Sequence, residues 1–123
     1  MLVEGFESEA KDFLARCGCK FIEIRKDNNM YAGHSIVFLD RDDEQKSCSE
    51  VHIIKSTIKP SEDEIGFQNW SIKMFKKDME LVQFEGTKSL IEDGITRAEK
   101  RIQEIEDKLA PWRQRLAELE ARK

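Results

Sequence analysis

The chain of 123 residues is long enough for one domain, or for one small domain with an extended helix, and too short for two full domains. Charged residues make up 37% of the chain, yet seven Phe, two Trp and many aliphatic residues supply enough apolar material for a core, which excludes wholesale disorder. The net charge of -4 argues against a protein that holds nucleic acid through its overall field.

The first predicted element is a short N-terminal helix. Ser8 is a good N-cap residue, and the apolar residues from Ala10 to Leu14 fall on one helical face. Gly18 supplies a C-terminal stop. The pattern predicts a helix from about Ser8 to Cys17, with its apolar face covering a sheet.

Two strands are predicted next. The segment Phe21–Ile24 alternates apolar and charged side chains, and Asp27–Asn29 follows as a turn signal. The run Ile36–Leu39 has four consecutive apolar residues, which is typical of a strand buried on both faces.

Further strands are predicted up to the start of the C-terminal helix. The polar stretch Arg41–Ser49 is predicted as a loop, and Val51–Ile58 as a third strand stopped by Pro60. The alternation within Phe67–Phe75, followed by Met79–Phe84, indicates two more strands. The result is an antiparallel meander of about four to five strands.

The last third of the chain carries the clearest pattern, a heptad repeat that predicts one long helix beginning at Thr87 or Ser89. Such a seam favours homo-oligomerisation, although one amphipathic helix lying across its own sheet would need the same stripe. The predicted oligomerisation residues recur at steps of four and three, with Ile95 at an a position: Ile91, Ile95, Ala98, Ile102, Ile105, Leu109, Trp112, Leu116 and Leu119.

Pro111 removes a hydrogen bond from the interior of this helix, at a cost of about 3 kcal/mol or more. The sequence therefore predicts a kink or a break there, with a helical hairpin folding back at Ala110–Pro111 as the rival. The predicted fold class is α+β, with a small domain over residues 1–86 and a coiled-coil helix over residues 87–123.

The cysteines and the N-terminus predict a reducing, cytoplasmic location. Cys17, Cys19 and Cys48 are odd in number, which favours free thiols over a disulfide framework. A zinc site formed by these thiols and His52 would have an unusual Cys-x-Cys spacing, so the sequence predicts no metal and no cofactor. MLVEGFESEA lacks the pattern of a signal peptide, and no run of about 18 apolar residues predicts a membrane span.

Two histidines are candidates for acid–base chemistry. His34 and His52 each lack the third residue of the paired H-x-[ST] spacing of two-histidine phosphoesterases, because Ile36 and Ile54 occupy it. Both are predicted to be ordinary strand histidines.

One segment resembles a known family. The helix that ends at Gly18, the strand Phe21–Ile24, the apolar strand and a third strand that reaches Lys55 are similar to the opening of PD-(D/E)xK nucleases. Lys55 takes the position of the family's lysine, but Ile53 stands where a catalytic acid should precede it. The resemblance therefore implies a degenerate, inactive nuclease-like relative.

The sequence as a whole predicts a non-catalytic, homo-oligomeric interaction protein, an accessory or inhibitor-like factor that binds another protein. The alternative is an oligomeric module that captures a small anionic ligand or nucleotide between subunits. Its candidate ligand-binding residues combine positive charge with one aromatic ring: Arg25, Lys26, Lys55 and Trp70.

Overall fold

A computed structural model describes residues 2–26 and 33–122, and has the predicted α+β class. Its elements are α1 (Phe6–Arg16), β1 (Lys20–Arg25), β2 (Ser35–Leu39), β3 (Gln45–Ser49), α2 (Glu50–Leu81) and α3 (Glu85–Ala121). The described residues contain three strands rather than four or five. The predicted turn at Asp27–Asn29 lies outside them.

Contacts divide the chain into two compact units. The sheet unit comprises Met1–Lys59 and Pro111–Lys123, and the helical hairpin unit comprises Pro60–Ala110. Helices α2 and α3 each contribute to both units. Across the described residues, none of the helices combines the length and the hydropathy that a membrane crossing needs.

Helix α1 is confirmed, with a start two residues before the predicted one. Gly5 occupies the N-cap position with a φ of 86°, a left-handed conformation that glycine adopts without strain. Ser8 therefore lies inside the helix rather than at its cap. Phe6, Ala10 and Leu14 are buried at helical spacing, so α1 presents one apolar face to the core.

The sheet is antiparallel in the order β1-β2-β3, with Ile36 of β2 paired to Ile24 and to Cys48. Consecutive residues of a strand point to opposite faces, and Ile36 and Val37 are both buried, so β2 is covered on both faces as predicted. The prediction of a loop throughout Arg41–Ser49 is wrong. The second half of this segment pairs with β2 through backbone hydrogen bonds, which do not require apolar side chains.

The predicted third strand, Val51–Ile58, is wrong, because this segment forms the first turns of α2. Ser49 caps the helix, since its Oγ accepts a hydrogen bond from the His52 backbone N–H at 3.1 Å. Val51, Ile54 and Ile58 are buried at steps of three and four residues. Burial on one helical face thus outweighs the strand preference of β-branched side chains. The third strand required by the nuclease resemblance is absent from this segment.

The two strands predicted over Phe67–Phe75 and Met79–Phe84 are also corrected. Helix α2 continues to Leu81, and α3 begins at Glu85 rather than at Thr87 or Ser89. The two segments therefore form the C-terminal part of α2 and the connection to α3.

Helix α3 continues through Pro111 as a single helix. The predicted break there is wrong, as is the rival hairpin at Ala110–Pro111, and the kink is not confirmed. Pro111 is exposed, as is Pro60 inside α2. On an exposed face, water can hydrate the carbonyl group that a proline leaves without its helical donor.

The core of the sheet unit includes residues of helices from both ends of the chain. Phe6 of α1 stacks on Trp112 of α3, with ring centroids 6.2 Å apart. Leu119 of α3 is fully buried, as are Ile53 and Ile54 of α2. The C-terminal turns of α3 are therefore part of the core of this unit.

Candidate interaction surface

Helix α2 carries an inner stripe that the sequence reading missed. Its members recur at alternating steps of four and three residues, and all are half-buried in the structure: Ser61, Ile65, Gln68, Ile72, Phe75 and Met79. This is a second heptad repeat, which precedes the one in α3. The 4-3 spacing was the signal that could have identified the helix.

Two contacts show that the inner stripe of α2 faces α3 in an antiparallel arrangement. A Cβ placed on Gly94 would lie 3.1 Å from the ring of Phe75, so this ring packs directly on the glycine backbone. Arg101 donates two hydrogen bonds to the carboxylate of Glu64, at 2.5 and 3.0 Å. The hydrogen bond from Arg101 lowers the pKa of Glu64 below its usual value.

The opposite side of α2 presents large apolar side chains to solvent. Phe67 is 59% exposed, Trp70 57% and Met74 37%, and the rings of Phe67 and Trp70 lie 6.0 Å apart. Steps of three and four residues place the three side chains on one line along the helix. We call Phe67, Trp70 and Met74 the outer apolar face.

The residues predicted for oligomerisation are buried or half-buried within a single chain. In the helical hairpin unit Ala98, Ile105 and Leu109 are buried, and the other predicted members are half-buried. In the sheet unit Trp112 and Leu119 are buried, and Leu116 is half-buried. The seam thus contributes to the core of each unit.

The four residues predicted to bind an anion lie on different elements. Arg25 ends β1 and pairs with Glu23, and Lys26 follows it. Lys55 is exposed on α2 in the sheet unit, whereas Trp70 belongs to the outer apolar face of the hairpin unit. None of the four lines the shallow depression of about 240 Å³ in the sheet unit. That depression is bordered by Val3, Pro111, Gln114, Arg115 and Glu118.

A buried ion pair joins the first residue of α2 to the C-terminal part of α3. Glu50 is 0% exposed and Arg115 5% exposed. The Arg115 guanidinium donates to both carboxylate oxygens of Glu50, at 2.6 and 3.0 Å. The His34 backbone N–H donates to the same carboxylate at 2.9 Å, and His34 Nδ1 lies 3.0 Å from it.

The charge of Glu50 is stabilised by these partners. Burial raises the pKa of the carboxyl group, but the hydrogen bonds from Arg115 and His34 outweigh burial and hold the pKa below its usual range. Glu50 also lies at the N-terminus of α2, where the helix dipole favours an anion. We call Glu50, Arg115 and His34 the polar cluster.

Sequence reasoning treated His34 as a strand histidine and did not bring Glu50 and Arg115 together. His34 precedes β2, while His52 lies on α2 with its ring edge against Phe13, at a centroid distance of 5.3 Å. The two histidines thus have different partners. The polar cluster joins residues that are 65 positions apart, so only the tertiary structure reveals it.

The three thiols are free and half-buried. Burial, together with the neighbouring Cys19 and Cys17, raises the pKa of the Cys48 thiol to about 11. Within the part of the chain that the structure describes, no group of three or more His, Cys, Asp or Glu side chains could hold a metal ion.

No protein-family model, curated protein or solved structure matches this chain.

Proposed function

We propose that this chain is a non-catalytic interaction protein, an accessory or inhibitor-like factor that acts by covering a surface of another protein molecule. The observation that carries the proposal is the exposure of Phe67, Trp70 and Met74 on one line of α2. Aromatic residues and methionine are enriched at protein interfaces and tend to supply their binding energy.

The internal packing of the hairpin unit supports this assignment. The inner stripe of α2 already meets α3, as the contact of Phe75 with Gly94 shows. A helix that needs only to pack within its own unit requires one apolar stripe. The outer apolar face is a second stripe, and its free energy of desolvation becomes available only on association.

The polar cluster favours a structural role over a catalytic one. Glu50 has no exposed surface, and both of its oxygens accept hydrogen bonds within the chain. A general base needs to reach the proton it removes, directly or through one water. The cluster therefore serves to fix α3 against the start of α2.

The test is a capture experiment with the intact chain immobilised as bait in an extract of its native source. We expect a captured protein to be lost with Trp70→Glu and retained with Leu90→Glu. Leu90 is a matched control, because it is 70% exposed in the same unit but lies on α3. Equal capture by both variants and the parent chain would contradict the assignment of the surface.

A further inference from the structure

We infer that a second copy of this chain covers the outer apolar face, with the two α2 helices antiparallel and crossing at Trp70. This inference rests on the proposed function, since it assigns an occupant to the same surface. The charges that flank the face favour this pairing.

The face is bounded by opposite charges at equal distances from its centre. Asp63 lies seven residues before Trp70 and Lys77 seven residues after it, and both are exposed. Seven residues are nearly two turns, so both charges lie close to the line of Trp70, each about 10.5 Å from it along the helix. Between Asp63 and Lys77 the line through Trp70 thus runs from acidic through apolar to basic.

Such a surface is complementary to itself after a half-turn rotation. In an antiparallel pair centred on Trp70, Asp63 of each copy faces Lys77 of the other, which gives two attractive pairs. Phe67 of each copy packs beside Met74 of the other, around the two Trp70 rings. A two-fold interface requires this self-complementarity of one patch.

The same charges disfavour the alternative orientation. A parallel pair in register would place Asp63 against Asp63 and Lys77 against Lys77. Like charges in direct apposition destabilise an interface, and opposite charges select register and orientation. The charge pattern therefore specifies both the partner and the direction.

The first arm of the test measures mass against concentration by light scattering and sedimentation, at low salt so that charge effects are little screened. We expect the intact chain to pass from monomer to dimer as its concentration rises. Trp70→Glu should remain monomeric, whereas Leu90→Glu should dimerise like the parent. Circular dichroism should show that each variant keeps its helical content.

A fluorescence measurement locates the contact. The chain has two tryptophans, of which Trp112 is buried and Trp70 exposed. In a Trp112→Phe background the emission reports Trp70 alone. We expect it to shift to shorter wavelength over the concentration range in which the mass doubles. An unchanged spectrum during dimerisation would place the contact elsewhere and overturn the inference.

The second arm reverses charges. Asp63→Lys and Lys77→Asp should each dimerise about tenfold more weakly, because symmetry converts two attractive pairs into two repulsive ones. An equimolar mixture of the two variants should regain the parent affinity, since both pairs are then attractive again. Lys100→Asp, an exposed reversal on α3 with the same change of charge as Lys77→Asp, should leave dimerisation unchanged.

The outcomes separate this inference from the proposed function. A parent chain that stays monomeric at every concentration overturns self-association, while Trp70-dependent capture of a different protein would leave the proposed function intact. If neither charge reversal weakens dimerisation, the antiparallel arrangement is overturned. If Trp70→Glu dimerises as the parent chain does, the outer apolar face is not the surface of self-association and the inference is overturned. The capture experiment then decides the proposed function.

Discussion

Replacing Glu50 by glutamine tests the polar cluster most directly. Glu50→Gln keeps the shape of the side chain but removes its charge, so the Arg115 guanidinium is left buried opposite a neutral amide. The glutamine has one acceptor oxygen, whereas the carboxylate of Glu50 accepts from Arg115 through both oxygens. The second position then becomes an NH₂ group facing N–H donors.

The expected loss of stability is large because the pair is almost fully removed from water. Glu50 is 0% exposed and Arg115 5% exposed, so solvent screening provides little compensation. Removing one partner of a buried ion pair costs about 3–5 kcal/mol. Small domains are stable by about 5–15 kcal/mol in total, so the change is a substantial fraction of the free energy of unfolding.

The measurement is urea unfolding at pH 7, followed by circular dichroism and by the fluorescence of Trp112 in a Trp70→Phe background. Trp112 lies in the sheet unit and stacks on Phe6, so its emission reports the unit that contains the cluster. A loss below about 1 kcal/mol would refute the reasoning, since it would equal that of an ordinary exposed pair.

A double replacement controls for the volume and charge of the pair. Glu50→Leu combined with Arg115→Met removes both charges while keeping apolar bulk. We expect it to be much less destabilising than either single replacement, because neither charge is left buried alone. A double variant that loses the sum of the two single effects would show that the residues act independently.

The pH dependence follows from the lowered pKa of Glu50. The contribution of a carboxyl group with a depressed folded pKa is fully present above its unfolded value, about 4.3, and is lost as the pH falls through the folded value. The parent chain should therefore lose its advantage over Glu50→Gln in acid. An advantage that remains constant through this range would contradict the assigned role.

Three further predictions concern single positions. Gly33→Ala should strongly lower the melting temperature, because Gly33 has a φ of 93° and a Cβ there would lie 2.6 Å from both Glu50 and Leu119. Gly66→Ala should stabilise the dilute chain against urea by about 1 kcal/mol, since its Cβ would meet nothing within 4 Å and alanine is the better helix former. Cys48 should be alkylated by iodoacetamide far more slowly at pH 8 than a thiol of ordinary pKa, as peptide mass mapping can show, because its pKa is raised to about 11.

Local patterns predicted those elements in which the spacing of the apolar residues fits either a helix or a strand, but not both. Two such elements are the helix around Ala10 to Leu14 and the strand Ile36–Leu39. The sequence pattern of each is compatible with only one type of secondary structure. The heptads of α3 likewise predicted a long helix, and the break inferred at Pro111 was wrong. The exposed position of that proline makes the helix tolerant of the missing hydrogen bond.

The strands predicted within α2 were wrong for a reason that also identifies the candidate surface. Trp70, Ile72 and Met74 alternate with polar residues, which is typical of a strand. In the structure Ile72 belongs to the inner stripe, and the other two belong to the outer apolar face. A helix with apolar residues on two opposite sides thus produces a period of two over a short segment.

The sequence by itself determined the α+β class, the N-terminal helix, the central strand and the heptad seam of α3, because each of these patterns is local. The tertiary structure decided that residues 51–81 are helical, that the α3 seam is largely occupied within one chain, and that Glu50 meets Arg115. Strand and helix preferences differ by about 1 kcal/mol or less per residue, so burial against distant residues selects between them. The identity of those distant residues is not contained in any local pattern.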